Sequence, residues 1–445
     1  MRIELPLRLR RPTERAPIAV AAVTDRASDV STAIAASPLV SSVTLLHWAI
    51  FITSLYLAFE LLSAGALHLL AFVWNHEYRV VDAEHLTAQQ QDSLARLMED
   101  RLEYFQHDPL LGWTIRPYGE GSVGLYHSNG QGVRTSAMQN PTPVAASRVR
   151  IAAFGDSFTH GDEVTFVHTW EHQLSEMLPG VEALNFGVPG YGLDQAFLRY
   201  WRDGGQFRPD VVIIGFMPEN VYRHLNVFRP FYYPDTGVPL TKPRFVIKDG
   251  RLTLIPNPLP QIVDYSAVRS SDAATWRKLR ELDPYAAWRP EAGPLDRVPS
   301  VRLFKFLQAE LARRFDERQI VRDGVYAQDG EAFQITETLL REFTRTVSAR
   351  GAAPVVAIFP EREDVKAFLK DARTRYTPLV VALQRRGIRT LDLMPALLAG
   401  NPDPEALFAQ DHYSAEGNRR VARALADFLE TDVLPTLRQS AHNPT

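Results

Sequence analysis

VRIAAFGDS, residues 149–157, is a short apolar run that stops abruptly at Gly155-Asp156-Ser157. Helical spacing follows from Thr169 to Leu178. EALNFG (182–187), a helix around Gln195 to Trp201, and DVVIIGF (210–216) come next. Strands alternating with helices at this spacing predict a parallel sheet covered on both faces, an α/β class. In such a sheet ligands bind beyond the carboxyl ends of the strands, so Ser157 stands where a nucleophile belongs. The pattern breaks after residue 223. Residues 224–330 are rich in proline, and RFVIKDGRLTLI (244–255) reads as a hairpin turning at Lys248-Asp249-Gly250. Helical runs at Val301 to Phe315 and Glu331 to Arg350 lead back to PVVAIF (354–359). A helix at Thr377 to Arg386, RTLDL (389–393) and a last helix at Ala415 to Leu429 complete the pattern. Residues 148–435 are therefore one α/β domain with an insertion at 224–330, and no internal repeat is visible.

Composition narrows the function classes. The 445 residues are 45% hydrophobic and 23% charged, which suits a folded chain. Lys and Arg total 49 against 52 Asp and Glu, a net charge of −3, so the basic surplus of a dedicated nucleic-acid binder is missing. Cysteine is absent. That excludes disulfides, thiolate nucleophiles, zinc–cysteine sites and iron–sulfur clusters.

One segment departs from the average. From Leu39 to Trp74 the only formally charged residue is Glu60, and the run exceeds the ~20 residues that cross a bilayer. A buried core helix seldom stays apolar on all faces for so long. Ala64-Gly65-Ala66 resembles a signal-peptidase site, but about 40 residues precede the apolar run and the run continues past that site, which fits a retained anchor. Glu60 at the bilayer centre costs about 3 kcal/mol, so it is expected near an interface. Trp48 to Phe59 then carry most of the span, with the remainder along the surface. Arg2, Arg8, Arg10, Arg11, Arg15 and Arg26 precede the helix, whereas only Arg79 closely follows it. The positive-inside rule predicts a cytoplasmic tail (1–38), an anchor (39–75) and everything later outside the cytoplasm. A stalk and lead-in (76–147) follow, with a surface helix at Thr87 to Tyr104, and residues 436–445 form a flexible end.

Four sites carry chemistry. Ser157 is a nucleophile or merely a helix N-cap. Asn185-Phe186-Gly187-Val188-Pro189-Gly190-Tyr191-Gly192 brings backbone N–H groups to a strand end, as an oxyanion hole requires, or is simply a turn. Asn220 can donate its side-chain amide or serve turn chemistry. His412, in Asp411-His412-Tyr413-Ser414 before the last helix, is a general base or a surface residue. His160, Asp162 and Glu163 cluster beside Ser157. They suggest a metal site or solvated loop residues, and the loop reading is preferred because nucleophilic catalysis by a serine needs no metal. Asn220 to Tyr233 bears Arg and Tyr residues suited to a carbohydrate or acyl-donor groove, or equally to core packing.

Together, Gly-Asp-Ser, then Gly, then Asn, then a late His resemble the SGNH (GDSL-like) hydrolases. The match is closest to a membrane-anchored subgroup with a lead-in seen here as Leu111-Gly112-Trp113, Asn129, Gly132-Val133-Arg134 and Gly155 to Gly161. It covers about residues 108–223 and 354–430. The resemblance implies a flavodoxin-like three-layer α/β/α fold with Ser157 as nucleophile and His412 as base. The N–H of Ser157, the N–H of Gly190 and the Asn220 amide would form the oxyanion hole, Gly187 being the less suitable glycine by spacing. The family places its acid three residues before the His, where this chain has Ala409. Asp411 is then the expected orienting acid if its loop turns tightly; otherwise a backbone carbonyl does that work or the site is impaired. The implied activity is a serine esterase or O-acyltransferase on acyl esters of an extracytoplasmic glycan, without cofactor or metal. Its partners are an acylated carbohydrate or lipid substrate and the membrane, not nucleic acid. The rivals are a lipid-directed esterase and a non-catalytic glycan-binding or assembly protein.

Overall fold

The computed structural model describes residues 38–73, 86–136, 149–291 and 293–437. Most of the expected cytoplasmic tail, Arg79, the end of the lead-in and the last eight residues lie outside these.

Five parallel strands form the centre: β1 (Val149–Phe154), β2 (Val181–Asn185), β3 (Val211–Phe216), β4 (Ala353–Ile358) and β5 (Thr390–Asp392). Their order across the sheet is β5-β4-β3-β1-β2. This is a doubly wound arrangement whose direction reverses between β1 and β3, where a crevice opens beyond the strand ends. The sheet is not wholly parallel. Beyond β2 the lead-in adds Arg134–Thr135, Tyr126–Ser128 and Glu120–Gly121, antiparallel, giving eight strands.

Alternation along each strand builds two cores. Ile151, Ala153, Ile213 and Val355 face one side and pack with α1 (Trp170–Met177) and the last helix, Ala415–Phe428. Ala152, Phe154, Ile214 and Val356 face the other, under α2 (Leu193–Asp203), α3 (Glu331–Ala349) and α4 (Thr377–Arg385). We number the last helix α5. Layers are therefore helix, sheet, helix.

The insertion extends the second core. Phe228, Trp276, Tyr285 and Trp288 are buried in it, the last two with ring centroids 4.3 Å apart. Buried Asp283 ties the insertion's start to its middle, accepting N–H groups from Val227 and Phe228 and the Asn226 amide, each at 2.7 Å. The hairpin Arg244–Lys248/Arg251–Ile255 closes on Asp249 and Gly250 at φ 51° and 70°, a two-residue turn whose twist matches the strands.

The helix expected in the stalk runs from Ala88 to Met98 behind a Thr87/Gln90 capping box. It is docked rather than standing off. Leu94 and Leu97 are buried in the second core, and Gln90 Nε2 donates to Pro234 O at 2.6 Å.

The apolar segment is one continuous helix, Pro38–Val73, of 36 residues. At 1.5 Å per residue it is about 54 Å long, beyond the ~30 Å of a hydrocarbon core. Ser42–Val73 is long and apolar enough to cross a membrane, and Leu45, Trp48, Ile52 and Phe59 are exposed around it.

Candidate active site

At the end of β1 the chain must turn sharply into a helix. A Cβ on Gly155 would come within 2.0 Å of Thr159 Oγ1, so only glycine fits. Asp156 caps the helical turn Ser157–His160 by accepting the Phe158 N–H at 2.9 Å, and Gly161 closes it at φ 74°. The cap is thus Asp156. The Ser157 hydroxyl is left for another partner, and Ser157 Oγ lies 2.8 Å from His412 Nε2.

His412 sits just before α5, whose N-cap Ser414 accepts the Gly417 N–H. Its Nδ1 lies 2.8 Å from Glu163 Oε1. This corrects the expectation for Asp411. Neighbouring side chains in an extended loop diverge, and Asp411 is exposed at the rim, joined to Glu163 only through its backbone N–H at 3.1 Å. The same Glu163 carboxylate also accepts the N–H groups of Gln410 at 2.7 Å and His412 at 3.2 Å.

The charges define the tautomer. Partial burial raises the Glu163 carboxyl, but the His412 hydrogen bond and the N–H groups of Gln410 and Asp411 outweigh it and hold the pKa at about 2. An ionised carboxylate only accepts, so His412 Nδ1 carries the proton and Nε2 is left to accept from the Ser157 hydroxyl. Burial pushes the imidazole pKa down. The Glu163 hydrogen bond, with the charges of Asp162, Glu163 and Asp156, more than offsets this and holds it above its ordinary value.

The lead-in holds the acid in place. Glu163 has a left-handed backbone, φ 70°, unusual for a residue with a side chain. Its N–H donates to Tyr126 Oη at 2.8 Å. Buried Arg134 donates to the carbonyls of His160, Gly161 and Val164 and so clamps the turn that carries Glu163. Buried His160 bridges Tyr104 Oη and Asp162, and burial together with Arg134 pushes its pKa down to about 4, which keeps it neutral.

Ser157 and His412 open on a cleft of about 450 Å³ whose wall includes Gly190 and the insertion residues Arg229 and Tyr233. Gly190 adopts φ 81°. The Gly187 N–H is occupied by Asn185 Oδ1 at 3.0 Å, consistent with Gly190 as the candidate donor. Buried Asn220 gives one amide hydrogen to Asp156 Oδ2 at 2.5 Å and retains a second. The Ser157 N–H, at the first position of its helical turn, has no intrahelical acceptor.

Two family models match the chain: the GDSL-like lipase/acylhydrolase family over residues 153–216, and the SGNH hydrolase-like domain of acetyltransferase AlgX over 321–444. Over these two stretches the chain is similar to the SGNH/GDSL-type hydrolases. Similar solved structures include a lipolytic G-D-S-L family member from Veillonella parvula (12% identity, 64% of this chain and 99% of that one, TM-score 0.32). Another is a GDSL-like lipase from Bacteroides thetaiotaomicron (13% identity, 64% and 92%, TM-score 0.30). A third is a two-domain esterase active on acetylated mannans (13% identity, 64% and 50%, TM-score 0.31). No curated protein matches the chain.

Within this SGNH fold Ala409 leaves the usual acid position empty, and Glu163 supplies the carboxylate from the turn after the nucleophile. Sequence reasoning missed it. The one signal was the polar cluster His160, Asp162 and Glu163 beside Ser157, which carries no indication of which member reaches His412.

Proposed function

We propose that this SGNH-like protein is a membrane-anchored serine esterase or O-acyltransferase acting on acyl esters of a glycan outside the cytoplasm. The observation that carries the reading is the relay Ser157–His412–Glu163, with both hydrogen bonds at 2.8 Å. Ser157 Oγ attacks the ester carbonyl while His412 Nε2 takes its proton. Glu163 holds the imidazole in the required tautomer and stabilises the imidazolium that forms. The N–H groups of Ser157 and Gly190 and the second Asn220 amide hydrogen receive the oxyanion. His412 returns the proton to the departing alkoxide, and the acyl-Ser157 ester passes its acyl group to water or a sugar hydroxyl. Acyl transfer is supported by the match to the AlgX acetyltransferase domain model. The location is supported by the apolar helix Ser42–Val73 and by the six arginines before it.

The test is fluorophosphonate labelling of the full chain in detergent, with hydrolysis of acetyl esters in the presence and absence of carbohydrate acceptors. Labelling at Ser157 together with ester cleavage or acyl transfer supports the reading. A folded wild-type chain that takes no label and turns over no ester overturns it in favour of a scaffold. Preference for long acyl chains over acetylated sugars would redirect the substrate to lipid.

A further inference from the structure

The Gly190 N–H is useful only if its peptide plane is held, and glycine at positive φ is the residue least able to hold itself. Two side chains from outside the parallel-sheet pattern do so. Trp113 Nε1 donates to Pro189 O at 3.1 Å. A trans peptide is planar and its C=O and N–H point in opposite directions. Fixing the Pro189 carbonyl therefore fixes the direction of the Gly190 N–H, which belongs to the same plane. Arg229 Nη1 donates to Gly190 O at 2.8 Å, in the following Gly190–Tyr191 peptide, and so restrains the glycine from its C-terminal side.

Both clamps are themselves secured. Trp113 is fully buried, and its carbonyl accepts the Tyr191 hydroxyl at 2.7 Å, closing a ring of contacts around residues 189–191. Gly112 beside it has φ 87°, and a Cβ there would lie 2.1 Å from Thr241 O, so the lead-in strand is pressed against the insertion. Leu111 O accepts Gln195 Nε2 at 2.7 Å from the first turn of α2. Arg229 Nε donates to Thr236 Oγ1 at 3.1 Å, and its guanidinium lies 5.9 Å from the Trp113 ring. The Arg229 side chain thus spends its donors on neutral acceptors, whereas Arg223 in the same cleft is paired with Glu219 at 2.5 Å.

We infer that Trp113 and Arg229 are positioning residues that aim the Gly190 N–H at the developing oxyanion. The lead-in and the insertion thereby each contribute one half of an oxyanion clamp. The inference rests on the serine-esterase reading above and deepens it.

The test uses the full chain and a short aryl acetate. Trp113→Phe keeps an aromatic ring in the buried site and deletes the Nε1–H together with the rest of the second ring, so its melting temperature is read alongside its kinetics. The expected outcome is a kcat lowered on the order of tenfold to a hundredfold, as for a displaced catalytic group, with KM within about twofold. Affinity for a boronic acid, whose serine adduct is tetrahedral, should fall in parallel with kcat/KM, because the lost contact forms only in the transition state. Wild-type kcat and boronate affinity in Trp113→Phe overturn the inference. So does a loss that appears only as raised KM and reduced melting temperature. If Trp113→Phe does not fold, Arg229→Ala decides. Restoration of kcat by free guanidinium supports the clamp, and unchanged kcat or a loss that guanidinium does not restore overturns it. An active wild type with unaffected variants sinks this inference alone, whereas an inert wild type sinks the esterase reading and the clamp with it.

Discussion

Glu163 and His412, 249 residues apart in the chain, meet at 2.8 Å through Oε1 and Nδ1. The same carboxylate gathers the backbone N–H groups of residues 410–412. It therefore sets both the tautomer of the imidazole and the path of the loop that carries it. A carboxylate on the His loop itself could orient the ring, but it could not tie that loop to the nucleophile turn.

Glu163→Gln should lower kcat by roughly ten-thousandfold, the scale for an orienting acid converted to its amide. The amide presents a donor either to His412 Nδ1 or to the loop N–H groups, so one side meets donor against donor. The melting temperature should fall as well, because the loop loses an anchor. Asp411→Asn, by contrast, should keep turnover within about threefold of wild type, since surface changes of this kind are small. Paired kinetics and thermal melts check this. Strong loss in Asp411→Asn with an active Glu163→Gln would reverse the assignment.

Turnover should rise with pH as His412 loses its proton, with a midpoint above the ~6.5 of a free imidazole, because only neutral Nε2 can accept from Ser157. Deleting the Glu163 charge removes a contribution that raises this pKa, so residual kcat/KM in Glu163→Gln should titrate at lower pH. An unmoved midpoint would show the two groups to be uncoupled.

Stability carries the opposite sign for the two partners. Glu163, held at about 2 in the fold, contributes stability that is fully present above its unfolded pKa of ~4.3 and is lost as pH falls towards about 2. His412, raised in the fold, contributes stability present below its unfolded pKa and lost as pH rises through its folded value. Melting of Ser157→Ala as a function of pH, with and without Glu163→Gln, separates the terms. The acid-side loss should flatten when Glu163 is replaced.

Ser157→Ala should fold normally, since Asp156 and not Ser157 caps the helical turn. It should lose all fluorophosphonate labelling, and turnover should drop by about a million-fold, the scale for deleting a triad nucleophile. Mass spectrometry of labelled peptides checks the site. Label retained on the variant would move the nucleophile elsewhere.

A C-terminal alkaline phosphatase fusion of the full chain should be active and a C-terminal green fluorescent protein fusion dark, as expected when basic residues keep the N-terminal side in the cytoplasm. Active fluorescence with silent phosphatase would invert the orientation.

Much of the fold was legible from local chemistry. Alternation in VRIAAF and DVVIIGF places every second side chain on one face, so two cores and a three-layer sandwich follow from pattern alone. Gly155 and Gly161 mark the strand-to-helix bend because no Cβ fits at Gly155 and Gly161 requires positive φ. The hydroxyl of Ser157 and the imidazole of His412 announced themselves by position, each lying just past a strand or before a helix. What the sequence could not determine is which carboxylate reaches His412. That depends on where two loops from opposite ends of the domain come to rest, a matter of long-range packing with no local signature. Only the folded chain, with Tyr126 and Arg134 gripping the turn at 160–164, brings Glu163 to Nδ1 and leaves Asp411 at the rim. The same holds for the helix Ala88–Met98. Its charge pattern reads as a surface helix, and the burial of Leu94 and Leu97 was decided by the partner surface they meet.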